Sequence, residues 1–537
     1  MPKSKVNRVI LCIIDDVRSD QFFSLIKKGL LPNCKKLMES GMYSTNCITD
    51  FPALTYPTQV SIITGAHTGD YRYEVCHGVP LSNWMDRNYN PPLVRNYGSK
   101  NLDIYKINED LGDNCKTICE MIQEGNKTSI IQFINRGVDY YFPENKLKLA
   151  LYYLMIKYYP KFRTTIKYVN TIVIKKLLDI FRRPNHYFET NEAPICSLLW
   201  FLTSDMVMHK FGSESLLYKI NLMQIDRLMG LLISGLKELG YLDDTAIALT
   251  SDHGNYRAQG VGNLDLFYKH TRLSNYHPRK NQKGMMNISE FASLGFFYFN
   301  PKNMNLQNAS KIKDDNPWFR PSLEFLEAFG TRKINVFNEL FRIKSVKLLY
   351  YAAETNTPQK GQIFLQRKVN ANKLIRGRLE YRGSGENMQT RYVFEDSTQQ
   401  DVFKYYKNAT AVKYLNGKFY GIDEWLKATS HLDFPLYPDL LCRHFKNPRS
   451  ADIIVSTEGD ITYNIEQGKK KSNQVFKHDI GARRSSIVPL IISGSNEIPK
   501  GEISYCKITD IIPTLLSLLG KKAQINLIGN NLKNNLI

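Results

Sequence analysis

Short apolar runs that end at polar or acidic residues recur along the chain, and this pattern predicts buried strands. The runs are Val9–Ile14, Ser129–Phe133, Cys196–Leu202, Thr245–Leu249 and Ile487–Ile492. Stretches with apolar residues three and four apart predict helices between them, and the clearest is Tyr218–Leu239, which Gly240 ends. Strands that alternate with helices predict an α/β fold, with a mostly parallel central sheet flanked by helices.

Three aspartates follow these predicted strands: Asp15, Asp205 and Asp252. Ligands of open α/β sheets bind at the carboxyl ends of the strands. We therefore expect the three carboxylates to lie on one edge of the sheet, although strands also end in polar turns without any functional reason.

Two segments interrupt the alternation of strands and helices. Residues 139–190 are basic, aromatic and helical in period, and residues 301–450 are polar with short alternating runs. We interpret the first as a basic helical insert and the second as a cap-like insert. The catalytic core would then comprise residues 1–138, 191–300 and 451–537.

The net charge of +21 favours anionic partners. The lysines are spread along the chain and no nucleic-acid-binding motif accompanies them, so a small phosphorylated molecule is preferred over nucleic acid. The apolar stretch from residue 147 to residue 180 is interrupted by lysines and cannot span a bilayer as one helix. Contact with a membrane surface stays open as a less favoured alternative.

The nine cysteines lie mostly within apolar runs, where a free thiol behaves as a small buried hydrophobe. The odd number and the position in apolar runs favour a reducing compartment. The first apolar run is also too short for a signal peptide. We therefore expect a cytoplasmic protein.

The segment FPALTYPTQVSIITG presents Thr55 between two prolines, and a helical run is expected from Val60 to Thr64. A threonine hydroxyl can attack phosphorus when a metal ion lowers its pKa. The alternative for Thr55 is a helix N-cap without catalytic function.

Two further motifs carry metal-binding residue types. Asp205 and His209 are four residues apart, so one turn of helix would place both on the same face, a spacing that suits two ligands of one zinc ion. Asp252 and His253 are adjacent in TSDHG, at the end of a predicted strand.

Taken in order, these motifs resemble those of the alkaline phosphatase superfamily. The matching segments are IIDDVRSD, ALTYPTQVSIITG, Asp-x-x-x-His-x-x-Gly, SDHG, a histidine before VPLIISG, and ITDIIPTLLSLLG. The threonine and the Asp-x-x-x-His-x-x-Gly motif point to the type I phosphodiesterase/nucleotide pyrophosphatase branch. Sulfatases differ, because LTYPTQ lacks their Cys or Ser and their Arg.

The resemblance implies a role for each matching residue. Thr55 would be the nucleophile that forms a phospho-threonine intermediate, and it would share one metal ion with Asp15, Asp252 and His253. Asp205, His209 and His478 would hold a second ion. The nitrogen and oxygen ligands favour two zinc ions, with manganese or iron as alternatives.

The chain departs from the family pattern at several places. Asp16 and Asp479 stand where the family usually has glycine, and the oxyanion-stabilising asparagine is displaced by one residue. Asn83 is our candidate for that role, and Ser82 stands at the expected position. The remaining histidines carry no assigned role, although His270 and His277 could contact the substrate.

These residues predict a metal-dependent hydrolase of phosphodiester or phosphoanhydride bonds that acts on a small anionic molecule such as a nucleotide. The alternatives are a phosphomonoesterase or phosphonate hydrolase on the same two-metal site, and a metal-binding module without catalytic activity. The oligomeric state is not determined by these motifs.

Overall fold

The computed structural model describes residues 6–98, 103–122, 125–145, 163–276, 286–300, 318–394, 400–463 and 474–536, with the single positions 147, 151 and 284. The chain divides into two compact units. The first unit comprises Met1–Ala66, Lys106–Asn255 and Arg484–Ile537, and the second comprises His67–Tyr105 and Tyr256–Arg483. The division into a catalytic core and two inserts, given above from the sequence pattern, stays a prediction.

The strands of the described residues are numbered in chain order. They are β1 (Arg8–Ile14), β2 (Met42–Ile48), β3 (Asn83–Asp86), β4 (Leu93–Asn96), β5 (Thr128–Ile131), β6 (Tyr140–Tyr141), β7 (Cys196–Phe201), β8 (Thr245–Thr250), β9 (Tyr256–Arg257), β10 (Gly260–Gly262), β11 (Met286–Phe291), β12 (Leu294–Phe299), β13 (Leu348–Ala352), β14 (Lys360–Asn370), β15 (Lys373–Arg382), β16 (Gln389–Phe394), β17 (Ile453–Ser456), β18 (Ile461–Tyr463), β19 (Phe476–Lys477), β20 (Ile487–Gly494), β21 (Gly501–Glu502) and β22 (Cys506–Lys507).

The α-helices are numbered in the same way. They are α1 (Ser19–Lys27), α2 (Pro32–Ser40), α3 (Thr55–Thr64), α4 (Ile118–Ile122), α5 (Arg163–Arg182), α6 (Pro184–Phe188), α7 (Thr203–Phe211), α8 (Leu216–Glu238), α9 (Leu266–Thr271), α10 (Leu323–Glu327), α11 (Val336–Arg342), α12 (Ile422–Thr429), α13 (Tyr437–Lys446), α14 (Arg483–Ser486) and α15 (Ile511–Leu518).

A nine-stranded, mostly parallel sheet forms the centre of the first unit. Its order is β21-β2-β20-β8-β1-β7-β5-β6, with β22 also paired to β2. The central strand β1 runs parallel to both neighbours, with Cys12 opposite Leu199 of β7 and Leu249 of β8. This arrangement confirms the predicted fold class. The apolar run at Ile487–Ile492 forms β20, which runs antiparallel to β8 and β2.

The apolar runs form the centre of this sheet because a strand buried on both faces needs apolar residues at successive positions. Strands β7 and β8 are buried at every residue. The predicted helix at Tyr218–Leu239 is confirmed as α8, which begins at Leu216. Ser215 is its N-cap, and the Ser215 side chain accepts a hydrogen bond from Tyr218 N at 3.2 Å. Gly240 follows this helix with φ 78°, a conformation that glycine adopts easily.

The second unit contains a seven-stranded antiparallel sheet, in the order β11-β12-β17-β13-β14-β15-β16. Leu349 of β13 and Val455 of β17 are opposite each other and belong to its apolar core, which also contains Phe297 of β12. Strand β14 includes the alternating run at residues 361–369, and it pairs with β15 along most of its length. Strands far apart in the sequence thus form one sheet.

All nine cysteines are free and buried. Among the described residues, no helix combines the length and the apolar character needed to cross a membrane. In the stretch from residue 147 to residue 180, residues 163–180 belong to helix α5. Residues 148–150 and 152–162 lie outside the described residues.

Candidate active site

Asp15 follows β1 at the carboxyl end of the parallel strands. Its backbone N–H donates to Phe201 O at 3.1 Å, which continues the pairing with β7. Trp200 Nε1 donates to Asp15 Oδ2 at 3.0 Å, and the side chain is buried. Oδ1 is also buried and accepts no hydrogen bond from any residue that the structure describes. A buried carboxylate oxygen without a donor is costly unless a cation is bound to it.

Asp252 and His253 follow β8 at the same edge. Asp252 Oδ1 accepts a hydrogen bond from Asp16 N at 3.1 Å, and Oδ2 accepts one from Gln59 Nε2 at 2.9 Å. His253 Nδ1 lies 3.2 Å from Gly254 O, so an Nδ1–H donates to that carbonyl and the lone pair of Nε2 stays available to a metal ion.

The turn at Gly254 requires glycine because of a close approach by another backbone. Gly254 N donates to Ser485 O at 2.8 Å, and a Cβ at Gly254 would lie 2.5 Å from Arg484 O. This contact fixes the path of the chain directly after His253.

Asp15, Asp252 and His253 form a group whose potential ligand atoms lie within 4.8 Å of one another. His253 Nε2 lies 3.5 Å from Asp15 Oδ1 and 3.9 Å from Asp252 Oδ2. All three side chains are buried. Two carboxylates and one imidazole are ligands that zinc and other divalent transition metals accept.

Thr55 is the first residue of helix α3, five residues before the predicted start of the helical run. The N-cap position belongs to Leu54, so the interpretation of Thr55 as the cap is wrong. Thr55 Oγ1 lies 3.0 Å from His253 Nε2. Thr55 therefore lies at the N-terminus of a helix, where the helix dipole favours negative charge.

Asp205 and His209 lie on helix α7, in the first and last turn. Asp205 Oδ1 is 3.1 Å from His209 Nε2, and both side chains are about four-fifths buried, with 19% and 21% of their surface exposed. The predicted proximity of these two residues is therefore present in the fold.

The neighbouring carboxylates at this edge raise the pKa of Asp15. Burial raises the pKa of Asp15 well above its usual range, and the negative charges of Asp252 and Asp205 raise it further. Such a cluster is unfavourable for the bare protein, and bound divalent cations would remove the repulsion. The residues present therefore fit metal ions.

Comparison with known proteins identifies the family. Residues 9–316, more than half of the chain, match the model of the type I phosphodiesterase/nucleotide pyrophosphatase family. The chain belongs to this family. A pyrophosphatase/phosphodiesterase of Schizosaccharomyces pombe, described as uncharacterized, is 25% identical over 248 residues, which are 46% of this chain and 44% of that protein.

The mouse ectonucleotide pyrophosphatase/phosphodiesterase family member 1 is 26% identical over 226 residues, 42% of this chain and 22% of that protein. The chain thus aligns with less than half the length of these relatives.

Solved structures of the same family share the fold. An inactive variant of murine ectonucleotide pyrophosphatase/phosphodiesterase 5, in complex with AMP, superposes with a TM-score of 0.56 at 13% identity, covering 99% of this chain and 100% of that one. The human protein of the same name gives a TM-score of 0.55 at 13% identity, covering 98% and 99%.

Asp16 is one of the positions at which this phosphodiesterase/nucleotide pyrophosphatase chain departs from the family pattern. Its backbone has φ 58°. This left-handed conformation favours glycine, and aspartate adopts it more readily than most residues. Asn255 Nδ2 donates to Asp16 Oδ1 at 2.7 Å, and Tyr218 Oη donates to Asp16 O at 2.7 Å. The backbone conformation usual for glycine is thus retained with a carboxylate added.

The remaining predicted site residues belong to the second unit. His478 is buried and follows β19, whose Lys477 pairs with Tyr256 of β9. Asn83 begins β3 opposite Asn96, and Ser82 is buried beside it. The metal-ligand role of His478 and the oxyanion role of Asn83 stay predictions. His277 lies outside the described residues.

Three supporting residues were not predicted from the sequence: Gln59, Trp200 and Asn255. Gln59 lies one helical turn after Thr55, and Trp200 is in the strand beside Asp15. Asn255 directly follows the SDHG motif. Only the spacing of Gln59 from Thr55 offered a signal, since the other two contacts depend on sheet register and on the turn at Gly254.

Proposed function

We propose that this chain hydrolyses phosphodiester or phosphoanhydride bonds through a phospho-threonine intermediate at Thr55. The observation that carries the proposal is the 3.0 Å distance between Thr55 Oγ1 and His253 Nε2. This contact puts the hydroxyl beside the group of Asp15, Asp252 and His253, where a nucleophile would be activated.

Two divalent ions would be held by the proposed ligands. Asp15, Asp252 and His253, together with the Thr55 hydroxyl, would hold one ion; Asp205, His209 and His478 would hold the other. Bound ions of this kind lower the pKa of a hydroxyl or water and stabilise charge on phosphoryl oxygens. The mixed nitrogen and oxygen ligands support zinc, with manganese or iron as alternatives.

The chain's own residues would act in two steps. Thr55 Oγ1 attacks phosphorus as the bond to the leaving oxygen breaks, and the product of this step is phosphorylated Thr55. Water then attacks the same phosphorus, the bond to Oγ1 breaks, and the free hydroxyl is restored. The N-terminus of α3 would stabilise negative charge in both steps, and Asn83, or Ser82, would donate to a phosphoryl oxygen.

A nucleotide is the proposed class of substrate. A protein of the same fold and family binds AMP, as the structure of the murine relative indicates. The net charge of +21 would attract such an anion. Membrane-surface contact and a cytoplasmic location stay predictions from the sequence.

Hydrolysis of bis-p-nitrophenyl phosphate and p-nitrophenyl phosphate by the metal-loaded protein tests the proposal. We expect preference for the diester, loss of activity on chelation, and loss in Thr55→Ala. Thr55→Ser keeps a hydroxyl and should retain part of the activity. Thr171→Ala, at a half-buried threonine of α5, is the control and should match the wild type.

The outcomes separate the alternatives. Preference for the monoester would indicate a phosphomonoesterase with the same nucleophile. Full activity in Thr55→Ala would contradict the threonine mechanism. Metal binding without cleavage of either ester or of a nucleotide would favour a module without catalytic activity.

A further inference from the structure

A cavity of about 730 Å³ lies within the second unit and is lined in part by strands β14 and β15 and by residues 400–407. The charged side chains that line it are mostly cationic. They are Lys344, Lys347, Arg367, Lys368, Lys404 and Lys407, together with the carboxylates of Asp401 and Glu458. Among the described residues, the lining therefore carries four more positive than negative charges. The proposed metal ligands, Thr55 and Asn83 do not belong to it.

Both carboxylates of the lining have partners within the fold. Asp401 accepts hydrogen bonds from two backbone N–H groups of the turn that follows it, at 2.9 Å and 2.7 Å. Glu458 Oε1 accepts a hydrogen bond from Arg367 Nη1 at 2.6 Å and lies 3.9 Å from Lys404 Nζ. The single charge of Glu458 thus faces two cations and can compensate only one of them.

Two of the lysines also have partners. Asp460, which lies outside the lining, forms an ion pair with Lys347, and Lys368 Nζ donates a hydrogen bond to Phe341 O at 2.5 Å. The pair with Asp460 offsets one positive charge, and the carbonyl oxygen offsets none. An excess of positive charge therefore remains, and a cleft lined by one sign of charge attracts ions of the other sign.

Arg367 is a buried cation of this cavity, with 7% of its side chain exposed. Its Nε donates to Val402 O at 2.5 Å, its Nη1 donates to Glu458, and its guanidinium lies 5.6 Å from the ring centroid of Phe434. Nη2 is buried as well, and it donates to no residue that the structure describes. A buried donor without an acceptor is costly, and an anion in the cavity would supply the acceptor.

The uncharged part of the lining is partly apolar. Val346 and Ile375 are buried, and Tyr406 is half-buried. The volume is within the range of small-molecule sites, which combine apolar walls with a few polar groups. Apolar and aromatic side chains beside cations suit a ligand in which a ring is joined to phosphate groups.

We propose that this cavity binds a small molecule with two or more phosphate groups, and that a nucleoside di- or triphosphate is the class that fits best. Arg367 Nη2 would donate to a phosphate oxygen, since a guanidinium matches the geometry of phosphate. The lysines would compensate the other phosphate charges, and the side of Tyr406 and Ile375 would contact the base. The proposed hydrolysis at Thr55 is not needed for this binding.

Three variants test the cavity. Lys344→Glu/Lys407→Glu reverses the charge of two exposed lysines of the lining, so the fold should be retained. Arg367→Lys keeps the charge but removes the second guanidinium nitrogen. Lys418→Glu/Lys427→Glu is the matched control, because it changes the net charge equally at exposed lysines of the same unit outside the lining. The melting temperature without ligand verifies that each variant is folded.

The first measurement is calorimetric titration of the full-length protein with α,β-methylene-ATP, with and without a chelator. Binding to the cavity should persist in chelator, whereas phosphate held by bound metal ions should be lost. Lys344→Glu/Lys407→Glu should weaken the persisting binding by roughly tenfold or more, because two attractive charges become repulsive. Arg367→Lys should weaken it by roughly threefold or more, and the control should stay within about twofold of the wild type.

The second measurement locates the ligand on the wild type. Lysines are acetylated with and without saturating α,β-methylene-ATP, and the modification of each residue is quantified by mass spectrometry. The ligand should lower the labelling of Lys344, Lys404 and Lys407 by about twofold or more, because an ammonium bound to phosphate is covered. The labelling of Lys418 and Lys427 should not change.

Pyrophosphate and adenosine, titrated in the same way, identify the recognised part of the ligand. Pyrophosphate should bind in chelator and protect the same lysines, more weakly than the analogue if the base contributes and equally if the phosphates alone are recognised. Adenosine alone should not bind.

Four results would overturn the proposal: wild-type affinity in Lys344→Glu/Lys407→Glu, equal losses in that variant and in the control, unprotected lysines of the lining, or complete loss of binding in chelator. Binding of adenosine as tight as that of the analogue would also overturn it, since the site would then not recognise phosphate. Each of these results leaves the proposed role of Thr55 unchanged, because hydrolysis is measured separately.

Discussion

Gln59 Nε2 donates a hydrogen bond to Asp252 Oδ2 at 2.9 Å, one helical turn after the proposed nucleophile Thr55. Helix α3 thus carries the hydroxyl of the proposed nucleophile and at the same time orients a proposed metal ligand. The position of Thr55 and the position of Asp252 are coupled through one helix.

Gln59→Leu should weaken metal binding, because Asp252 Oδ2 would lose its buried donor and become less well oriented. Loss of an outer partner of this kind costs about 10- to 100-fold in metal affinity. Chelator competition on the metal-free protein measures it. Gln21→Leu, whose amide contacts Ser213 and Glu214, is the control and should bind metal as the wild type does. Equal affinities in the two variants would show that the Gln59 contact does not orient Asp252.

Asp479→Gly should destabilise the protein even though it introduces the residue usual in the family. Asp479 has φ 112°, and its buried carboxylate accepts hydrogen bonds from Tyr256 Oη at 2.9 Å and from Ser293 N and Leu294 N at 3.0 Å each. Removing it leaves two buried N–H groups without that acceptor, at a cost of about 2–4 kcal/mol.

Chemical denaturation measures this loss. Tyr256→Phe removes one of the three hydrogen bonds to Asp479 and should cost about 1 kcal/mol. An Asp479→Gly protein as stable as the wild type would mean that relief of backbone strain equals the lost hydrogen bonds.

Glu380→Gln should lower stability at neutral pH and not in acid. Burial alone would raise the pKa of Glu380, but hydrogen bonds from Arg378 and Arg391 outweigh it and hold the pKa below its usual value of 4.5. Because the pKa of this carboxyl is lower in the folded than in the unfolded protein, its ionised form stabilises the fold at pH values above the pKa of the unfolded state. This stabilisation is lost as the pH falls through the pKa of the folded state.

The difference in unfolding free energy between the wild type and Glu380→Gln should therefore be about 1–3 kcal/mol at pH 7 and shrink below about pH 4. Glu354→Gln, at an exposed position of the same unit, should show no such dependence. A difference that stays constant with pH would contradict the assigned cause.

Glu74→Leu should destabilise the second unit strongly. Glu74 Oε2 lies 3.0 Å from Lys446 Nζ, and both side chains are almost completely buried. Burial lowers the pKa of Lys446, and the charge of Glu74 opposes that shift. Removing Glu74 leaves a buried cation without its partner, which costs about 3–5 kcal/mol.

The double variant Glu74→Leu/Lys446→Met tests this explanation by denaturation. It should be more stable than Glu74→Leu alone, because no uncompensated charge remains. If the double variant loses as much as the sum of the two single ones, the pair does not interact energetically.

The apolar runs located the central sheet closely. The run at Val9–Ile14 became Arg8–Ile14, and the run at Thr245–Leu249 became Thr245–Thr250. Helix α3 begins five residues before the predicted run at Val60–Thr64, and Pro57 lies in its first turn. Proline is tolerated in the first turn, where its missing N–H has no intrahelical partner.

The sheet of the second unit was not predicted. Its neighbouring strands β12 and β17 are more than 150 residues apart, and β17 also pairs with β13. Such pairing depends on non-local contacts, which no local periodicity reports. The antiparallel direction of β20 was missed for the same reason, because burial on both faces produces the same apolar run in either direction.

By itself, the sequence determined the α/β class, the family, and the residue types available at the ends of the strands, because periodicity and motif order are local properties of the chain. Only the tertiary structure decided that Thr55 Oγ1 lies beside His253 and that Gln59 and Trp200 hold the acids. Those contacts join residues from about 185 to 198 positions apart, and sheet register and helix packing decide which of them meet.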